Sequence, residues 1–275
     1  VDITAIVSVC DDGSSTGILR EEFNIPAVGD IRKVIAALAE TEPLVQELLN
    51  YRFKTTSDLN GHTVGNLLLT ATTNITGNMS DGIEALSHVL NLKGKVLPLT
   101  EENVVLNAEM EDGQIVKGEH HITEDTRKIK RVFYDNNPNP TSMGSLFTSI
   151  IPNLLCSKII DAIDNSNAKL MYVCNMVTQP GETDGFSVMD HIKMLNSYLG
   201  NHKIDVVIAN NGKISKTIAK KYETKEQKNP VLIDYQNIKD IKLIEADLVC
   251  IEDEIIRHDN MLLGFHIFEY LIKCR

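Results

Sequence analysis

Four short runs in this chain are apolar on both faces: Ile3–Val9, Leu170–Cys174, Asp205–Ala209 and Ala246–Ile251. A strand that is apolar on both sides must be covered on both sides, which is the condition of a parallel sheet flanked by helices. Helical spacing separates the runs. Asp30–Leu38 places apolar residues at i, i+3 and i+4, and Thr41-Glu42-Pro43 opens the next helix. Gly65–Thr73, Asp81–Leu90, Ile159–Ile163, Val188–Leu199 and Met261–Leu271 complete the set. Strand–helix alternation predicts an α/β fold: a Rossmann-like, three-layer α/β/α arrangement with a mainly parallel sheet. In such a fold ligands sit at the carboxyl ends of the strands.

One stretch breaks the alternation. Lys95–Leu99, Val104–Met110, Gln114–His120 and Lys130–Phe133 are β-rich, and Asp112-Gly113 is a strong hairpin turn. A single domain over residues 1–275 is expected, with a small antiparallel β insertion at about 93–135. The chain's 275 residues allow one large α/β domain or two small ones.

Net charge is −11, which disfavours nucleic acid and anionic membrane surfaces, since each phosphate contact needs a cation. No apolar run is long enough to span a bilayer. The five cysteines, Cys10, Cys156, Cys174, Cys250 and Cys274, are odd in number and none is spaced C-x-x-C. Buried free thiols in a reducing cytoplasm are the expectation, with no disulfide framework and no zinc site.

The first apolar run leads into Ser8-Val9-Cys10-Asp11-Asp12-Gly13-Ser14-Ser15-Thr16-Gly17, followed by a helix-like stretch from Ile18. A loop of small residues between strand and helix turns backbone N–H groups toward an anion. It is not a P-loop, because no Gly-Lys-Ser/Thr follows. Asp11 and Asp12 would repel a phosphate unless a cation lies between or they grip hydroxyls instead. Nucleotide or phosphorylated-sugar binding is the expected chemistry, with or without a divalent metal.

Further along, Gly29-Asp30-Ile31-Arg32 reads either as a capped helix or as an Asp and Arg at the mouth of that loop. Gly61-His62-Thr63-Val64-Gly65-Asn66 offers Asn66, which both donates and accepts. Gly144-Ser145-Leu146-Phe147-Thr148-Ser149 is a second candidate anion turn, or a simple Ser-capped helix. Asn175 to Gly185 and then Asn210-Asn211-Gly212 follow strand-like runs at their carboxyl ends. Arg257-His258-Asp259 supplies an Arg suited to phosphate, or to the neighbouring acids Glu252-Asp253-Glu254. No nucleophile elbow or Ser-His-Asp arrangement points to a hydrolase, and no catalytic residue is singled out.

In this order the motifs resemble the YvcK/CofD family. They are Asp-Asp-Gly-Ser-Ser-x-Gly-x-Leu-Arg, Pro-x-x-Gly-Asp-Ile-Arg, Thr-Glu-Pro-Leu, Tyr-Arg-Phe, Gly-His-x-x-Gly-Asn-Leu, Gly-Ser-Leu-Phe-Thr-Ser and Asn-x-x-Thr-Gln-Pro-Gly-Glu-Thr-Asp. The bacterial YvcK branch fits better than the phospholactyl transferase branch. The resemblance implies a cytoplasmic, Rossmann-like protein that binds UDP-N-acetylglucosamine or a related UDP-sugar. It implies a regulatory role in cell shape and in growth on gluconeogenic carbon sources, without a settled enzymatic activity. Cell-wall synthesis proteins and a homo-oligomer are the expected partners; nucleic acid and membrane insertion are not. The alternative it implies is a Mg²⁺-dependent transferase of a phospholactyl-type group to a deazaflavin, with Asp11 and Asp12 as the metal ligands. No cofactor is required on the first reading.

Carried over by position, the resemblance places Asp11, Asp12, Gly13, Ser14, Asn66, Gly144, Ser145 and Thr148 around the ligand. Asn175, Thr178, Asn210, Asn211 and Gly212 join them, with Tyr222 stacking on the base or ribose and Arg257 pairing with phosphate. Family members carry a strand and a Gly-Gly-Gly-Thr-Gly loop ahead of the position of Val1, and a strand ending Gly-Pro-Gly-Ser where this chain has Ser142-Met143-Gly144-Ser145. An N-terminal strand and glycine loop are therefore expected to belong to the whole protein.

Overall fold

The computed structural model describes residues 2–40, 42–134, 146–252 and 255–273, with the main chain alone at 149, 216, 225 and 252. It divides into two compact units, residues 1–125 with 129–160 and residues 126–128 with 161–275. The fold is mixed α/β, with parallel pairing in the strand–helix units and small antiparallel sheets beside it.

In the first unit, β1 (Thr4–Val7) leads into α1 (Ser14–Phe23), α2 (Gly29–Leu38), α3 (Pro43–Asn50), α4 (Val64–Thr76) and α5 (Met79–Val89). The chain then returns in β2 (Lys95–Pro98), which pairs with β1 in parallel, Thr4 opposite Lys95 and Val7 opposite Pro98. Thus the start of the β-rich 93–135 stretch belongs to a parallel pair. The antiparallel part is β3 (Leu106–Met110), β4 (Ile115–Lys117) and β5 (Ile129–Tyr134), in the order β4-β3-β5, with α6 (Glu119–Glu124) after β4. The hairpin turns at Asp112-Gly113: Gly113 takes φ +83°, and Asp112 Oδ1 accepts the Gln114 amide at 2.9 Å.

Apolar spacing decides which helix faces turn inward. Ile31 and Ile35 of α2, Leu69 of α4 and Ile83 of α5 are buried with Val9 and Leu106. Each contributes about 1.5–3 kcal/mol by leaving water. Caps fix the helix starts. Thr63 accepts the Asn66 amide at the head of α4, and Asn78 accepts the Asp81 amide at the head of α5. A π-helical turn at Leu146–Ile150 and the short α7 (Ile151–Leu154) follow, then α8 (Ser157–Asp164).

The second unit is built on the parallel sheet β6-β7-β8: β6 (Met171–Val173), β7 (Val206–Asn210) and β8 (Lys242–Ala246). Between β6 and β7 runs α9 (Val188–Tyr198), started by a capping box in which Ser187 and Asp190 exchange bonds with each other's amides. After β7 come α10 (Lys216–Lys221) and a π-helical turn at Tyr222–Glu226. The run expected as one strand over 246–251 is broken. β8 ends at Ala246, and β9 (Val249–Glu252) pairs antiparallel with β10 (Ile255–His258). The cause is tertiary: Asn210 Oδ1 takes the Leu248 amide at 2.9 Å, turning the chain at Asp247-Leu248. The last helix, α11 (Asn260–Lys273), packs Leu262, Leu263 and Ile267 on Ile208, Ala246 and Leu248. Among the described residues no single helix is long and apolar enough to cross a membrane.

Candidate functional site

The loop after β1 is held from three sides. Arg20 of α1 is buried and donates to the carbonyls of Cys10 and Val104 and to Asn103 Oδ1. Cys10 Sγ and the Tyr134 hydroxyl share a hydrogen bond of 2.8 Å, and burial raises the pKa of both groups, keeping them neutral. A side chain at Gly17 would put its Cβ 2.1 Å from the Asp12 carbonyl oxygen, so only glycine lets α1 approach this loop. Ser14, the first residue of α1, carries φ +45°, a left-handed conformation that costs a non-glycine residue energy.

The two aspartates have different duties. Asp12 Oδ1 accepts the His120 amide at 2.7 Å and so caps α6. Asp11 Oδ1 accepts the Gly13 amide at 2.9 Å, and Asp11 faces a cleft of about 270 Å³ lined by Ser8, Asp11, Asp30, Lys33, Glu119 and Thr148. Asp30 and Lys33 project from α2 and pair at 2.8 Å. Glu119 stands at the start of α6, in hydrogen-bond contact with the Thr123 and Thr148 hydroxyls.

Burial raises the pKa of Asp11, and the charge of Asp30 adds to it, against the bonds from Gly13 and Thr16. Burial also raises the pKa of Glu119, with Asp11 and Asp12 adding to it. These carboxylates thus crowd one another in a partly desolvated place with Lys33 as the cation lining the cleft. Such an arrangement binds hydroxyl groups through charge-assisted hydrogen bonds, or takes a divalent cation. Asp11, Asp30 and Glu119 are the residues available to a cation. Among the described residues, however, no three His, Cys, Asp or Glu side chains converge on one metal position.

Asn66 sits deeper in the same unit. Its Nδ2 donates to Ser15 Oγ at 3.2 Å, and His62 Nδ1 shares a bond of 2.9 Å with that oxygen. His62 and Asn66 therefore meet on α1, while Asn66 Oδ1 is buried with no hydrogen-bond partner among the described residues. Gly13 and Ser14 lie at the head of α1, and Thr148 is buried in the π-helical turn beside Glu119. Gly144 and Ser145 fall outside the described residues.

In the second unit Asn175 and Thr178 follow β6, and Asn210, Asn211 and Gly212 lie at the carboxyl end of β7. Asn175 Oδ1 accepts the Tyr172 hydroxyl at 2.8 Å. Thr178 and Asn229 bond each other's main chain, the Thr178 amide to the Asn229 carbonyl at 2.7 Å and the Asn229 amide to Thr178 Oγ1 at 2.9 Å. Asn210 Oδ1 accepts the Gly212 amide at 3.0 Å as well as that of Leu248, and Asn211 Nδ2 reaches Glu245 at 3.3 Å. Tyr222 is buried, its hydroxyl accepting the Ile256 amide at 2.9 Å, and Arg257 stands exposed on β10 opposite Cys250. Cys10, Cys156 and Cys174 are buried free thiols, and burial pushes Cys174 up to about 12.

The model of one protein family, described as 2-phospho-L-lactate transferase CofD, matches residues 1–249. The chain belongs to the CofD/YvcK family. It is 45% identical over 278 residues to the gluconeogenesis factor of Bacillus subtilis, covering 94% of this chain and 87% of that protein. The gluconeogenesis factor of Listeria monocytogenes is 38% identical, covering 94% and 84%. A crystal structure of a Bacillus halodurans protein superposes with a TM-score of 0.92 at 40% identity, covering 98% of this chain and 92% of that one.

In this CofD/YvcK chain the cleft also uses Ser8, Lys33 and Glu119, which the motifs did not single out for binding, and Asp30, which one of the two readings of Gly29-Asp30-Ile31-Arg32 placed at the mouth of the loop. Asp30 carried a signal, since Gly29-Asp30 opens a helix near the first loop. Glu119 carried little beyond its place behind Gly118 at a helix start.

Proposed function

We propose that this CofD/YvcK protein is a cytoplasmic, ligand-sensing regulator of growth on gluconeogenic carbon sources and of cell shape, and that its ligand is a UDP-sugar, UDP-N-acetylglucosamine foremost. The observation that carries the reading is the make-up of the cleft: Asp11, Asp30 and Glu119 with Ser8 and Thr148, in about 270 Å³. That volume is just below the ~300–1,000 Å³ of typical small-molecule sites and suits a sugar ring rather than a whole nucleotide. Carboxylates and hydroxyls together match a polyol edge. Asp12 is committed to capping α6, which leaves one of the two loop aspartates for ligand. The names of the Bacillus and Listeria relatives support the gluconeogenic role.

Asn175, Thr178, Asn210, Asn211, Gly212, Tyr222 and Arg257 enter through the family resemblance. Replacing Arg257 by Ala should weaken UDP-sugar binding about 10- to 100-fold, as loss of a charge-assisted pair does. Unchanged affinity removes Arg257 from the site.

The transferase reading is favoured by one thing, the family description itself, together with acidic side chains that a Mg²⁺ ion could use beside a substrate phosphate. Calorimetry with UDP-N-acetylglucosamine, UDP and UMP, with and without Mg²⁺, separates the two. Micromolar, metal-independent binding without ligand breakdown supports the sensor. Binding that requires Mg²⁺ and ends in product supports the transferase.

A further inference from the structure

Two arginines of the first unit stand against one loop without a carboxylate bonded to either among the described residues. Arg32, in the first turn of α2, is only 6% exposed. Its Nη1 donates to the neutral Asn50 Oδ1, and its Nε is buried with no hydrogen-bond partner. The Nε–Nη2 edge is the fork by which a guanidinium grips an oxyanion with two parallel bonds, and the Nε of that fork is unbonded among the described residues. Asp30, whose field reaches Arg32, is already paired with Lys33 at 2.8 Å.

Arg52 comes from a neighbouring stretch pinned to the same loop. The Phe53 amide donates to the His62 carbonyl at 2.9 Å and the Val64 amide to the Tyr51 carbonyl at 3.0 Å. Arg52 bridges Thr63 and donates through Nη1 to the Gly61 carbonyl, also a neutral acceptor. The aliphatic stem of Arg32 lies on the other end of that loop. A Cβ at Gly65 would fall 2.6 Å from Arg32 Cγ and 2.7 Å from its Cδ, so glycine is what admits the side chain. The Arg52 guanidinium and the Arg32 stem thus lie at the two ends of residues 61–65, ahead of and at the first turn of the 13-residue α4. Burial and the nearby charge of Arg52 both depress the pKa of Arg32, against the opposing field of Asp30.

A buried cation without a bonded counter-charge is costly, and a second cation beside it adds repulsion. A dianion placed between them removes both costs. We infer that Arg32 and Arg52 form an oxyanion site for a phosphoryl group of a small-molecule ligand. Two positive charges match the two negative charges of a phosphate monoester, and the unbonded Arg32 Nε is a donor for one of its oxygens. Neither arginine lines the hydroxyl-binding cleft, and the site does not depend on the UDP-sugar reading.

The test is calorimetric or ³¹P-NMR titration of the full chain with inorganic phosphate, with acetate as the competing anion. Wild type should bind phosphate saturably, and more tightly than acetate. Arg52→Gln, which alters an exposed side chain, should weaken phosphate at least ~10-fold with an unchanged melting temperature, a loss typical of a charge-assisted pair. Arg32→Lys should weaken it as well, because lysine keeps the charge and loses the fork. Arg131→Gln, a surface arginine paired with Glu109, should change nothing. If Arg32→Lys does not fold, Arg52→Gln still decides. Absence of saturable phosphate binding, equal binding of acetate, or equal behaviour of Arg52→Gln and Arg131→Gln would overturn the inference.

Discussion

Asp11 and Asp205 are both aspartates beside a parallel strand, and the protein treats them in opposite ways. Asp11 follows the carboxyl end of β1, where burial and the charge of Asp30 raise its pKa. Asp205 precedes the amino end of β7. Burial pushes it upward too, but the bonds from Lys169 at 2.7 Å, the Leu170 amide at 2.9 Å and His202 at 3.0 Å outweigh that and pull it down to about 2. Asp205 is fully partnered at the amino end of its strand. Asp11 lies in a loop past the carboxyl end of its strand, the place where α/β folds put ligands, and its bonds from Gly13 and Thr16 do not offset its burial.

The most severe way to break this comparison is at Gly17. Gly17→Ala would set a methyl group 2.1 Å from the Asp12 carbonyl oxygen and displace α1 from the loop. A stability loss of about 3 kcal/mol is expected in urea unfolding, at the upper end of overpacking costs. The cleft should lose ligand affinity with it.

Asp205→Ala comes next, at about 1–2 kcal/mol after allowing for solvent screening of this partly exposed group. Its sign with pH is definite. A folded pKa of about 2 lies below the unfolded value, so the contribution is complete above that unfolded value and fades as pH falls through about 2. Melting temperatures of the two proteins should therefore differ at neutral pH and converge in strong acid.

Asp11→Asn should move stability the other way and by less. A raised folded pKa means the folded state holds the proton more tightly, so ionised Asp11 opposes folding above that pKa. The amide keeps the bond from Gly13 and loses the charge. The variant should melt higher than wild type at neutral pH, and the gain should shrink as pH falls through the raised folded pKa toward the carboxylate's ordinary value and be gone below it. Smallest of all, Ser14→Gly should stabilise by about 0.5 kcal/mol, by relieving the left-handed backbone at a small entropic cost.

Much of this was readable in the residues. Gly29-Asp30 and Thr63 through Asn66 announced helix starts, and Asp112-Gly113 announced a hairpin, because caps and turns are local chemistry. What escaped were partnerships across long stretches of chain. Glu119 reaches the cleft only because β4 and α6 fold back to Asp12, more than a hundred residues earlier. β2 has the composition of any β-rich segment, and nothing within it says that its partner is β1. The run over 246–251 is apolar enough for a strand, yet the side chain of Asn210 bends it. The dual nature of Asp11-Asp12 was equally hidden: adjacent and identical in the sequence, they diverge because one meets an amide of α6 and the other a cleft.

The most direct measurement is the affinity of UDP-N-acetylglucosamine for wild type, Glu119→Gln and Asp205→Asn, by calorimetry at neutral pH without metal. Glu119→Gln should lose at least ~10-fold in affinity at little cost in melting temperature, as when a charged hydrogen-bond partner is removed from a ligand. Asp205→Asn should lower the melting temperature and leave affinity as in wild type. Full affinity in Glu119→Gln, or an equal loss in both variants, would contradict the ligand role of Glu119.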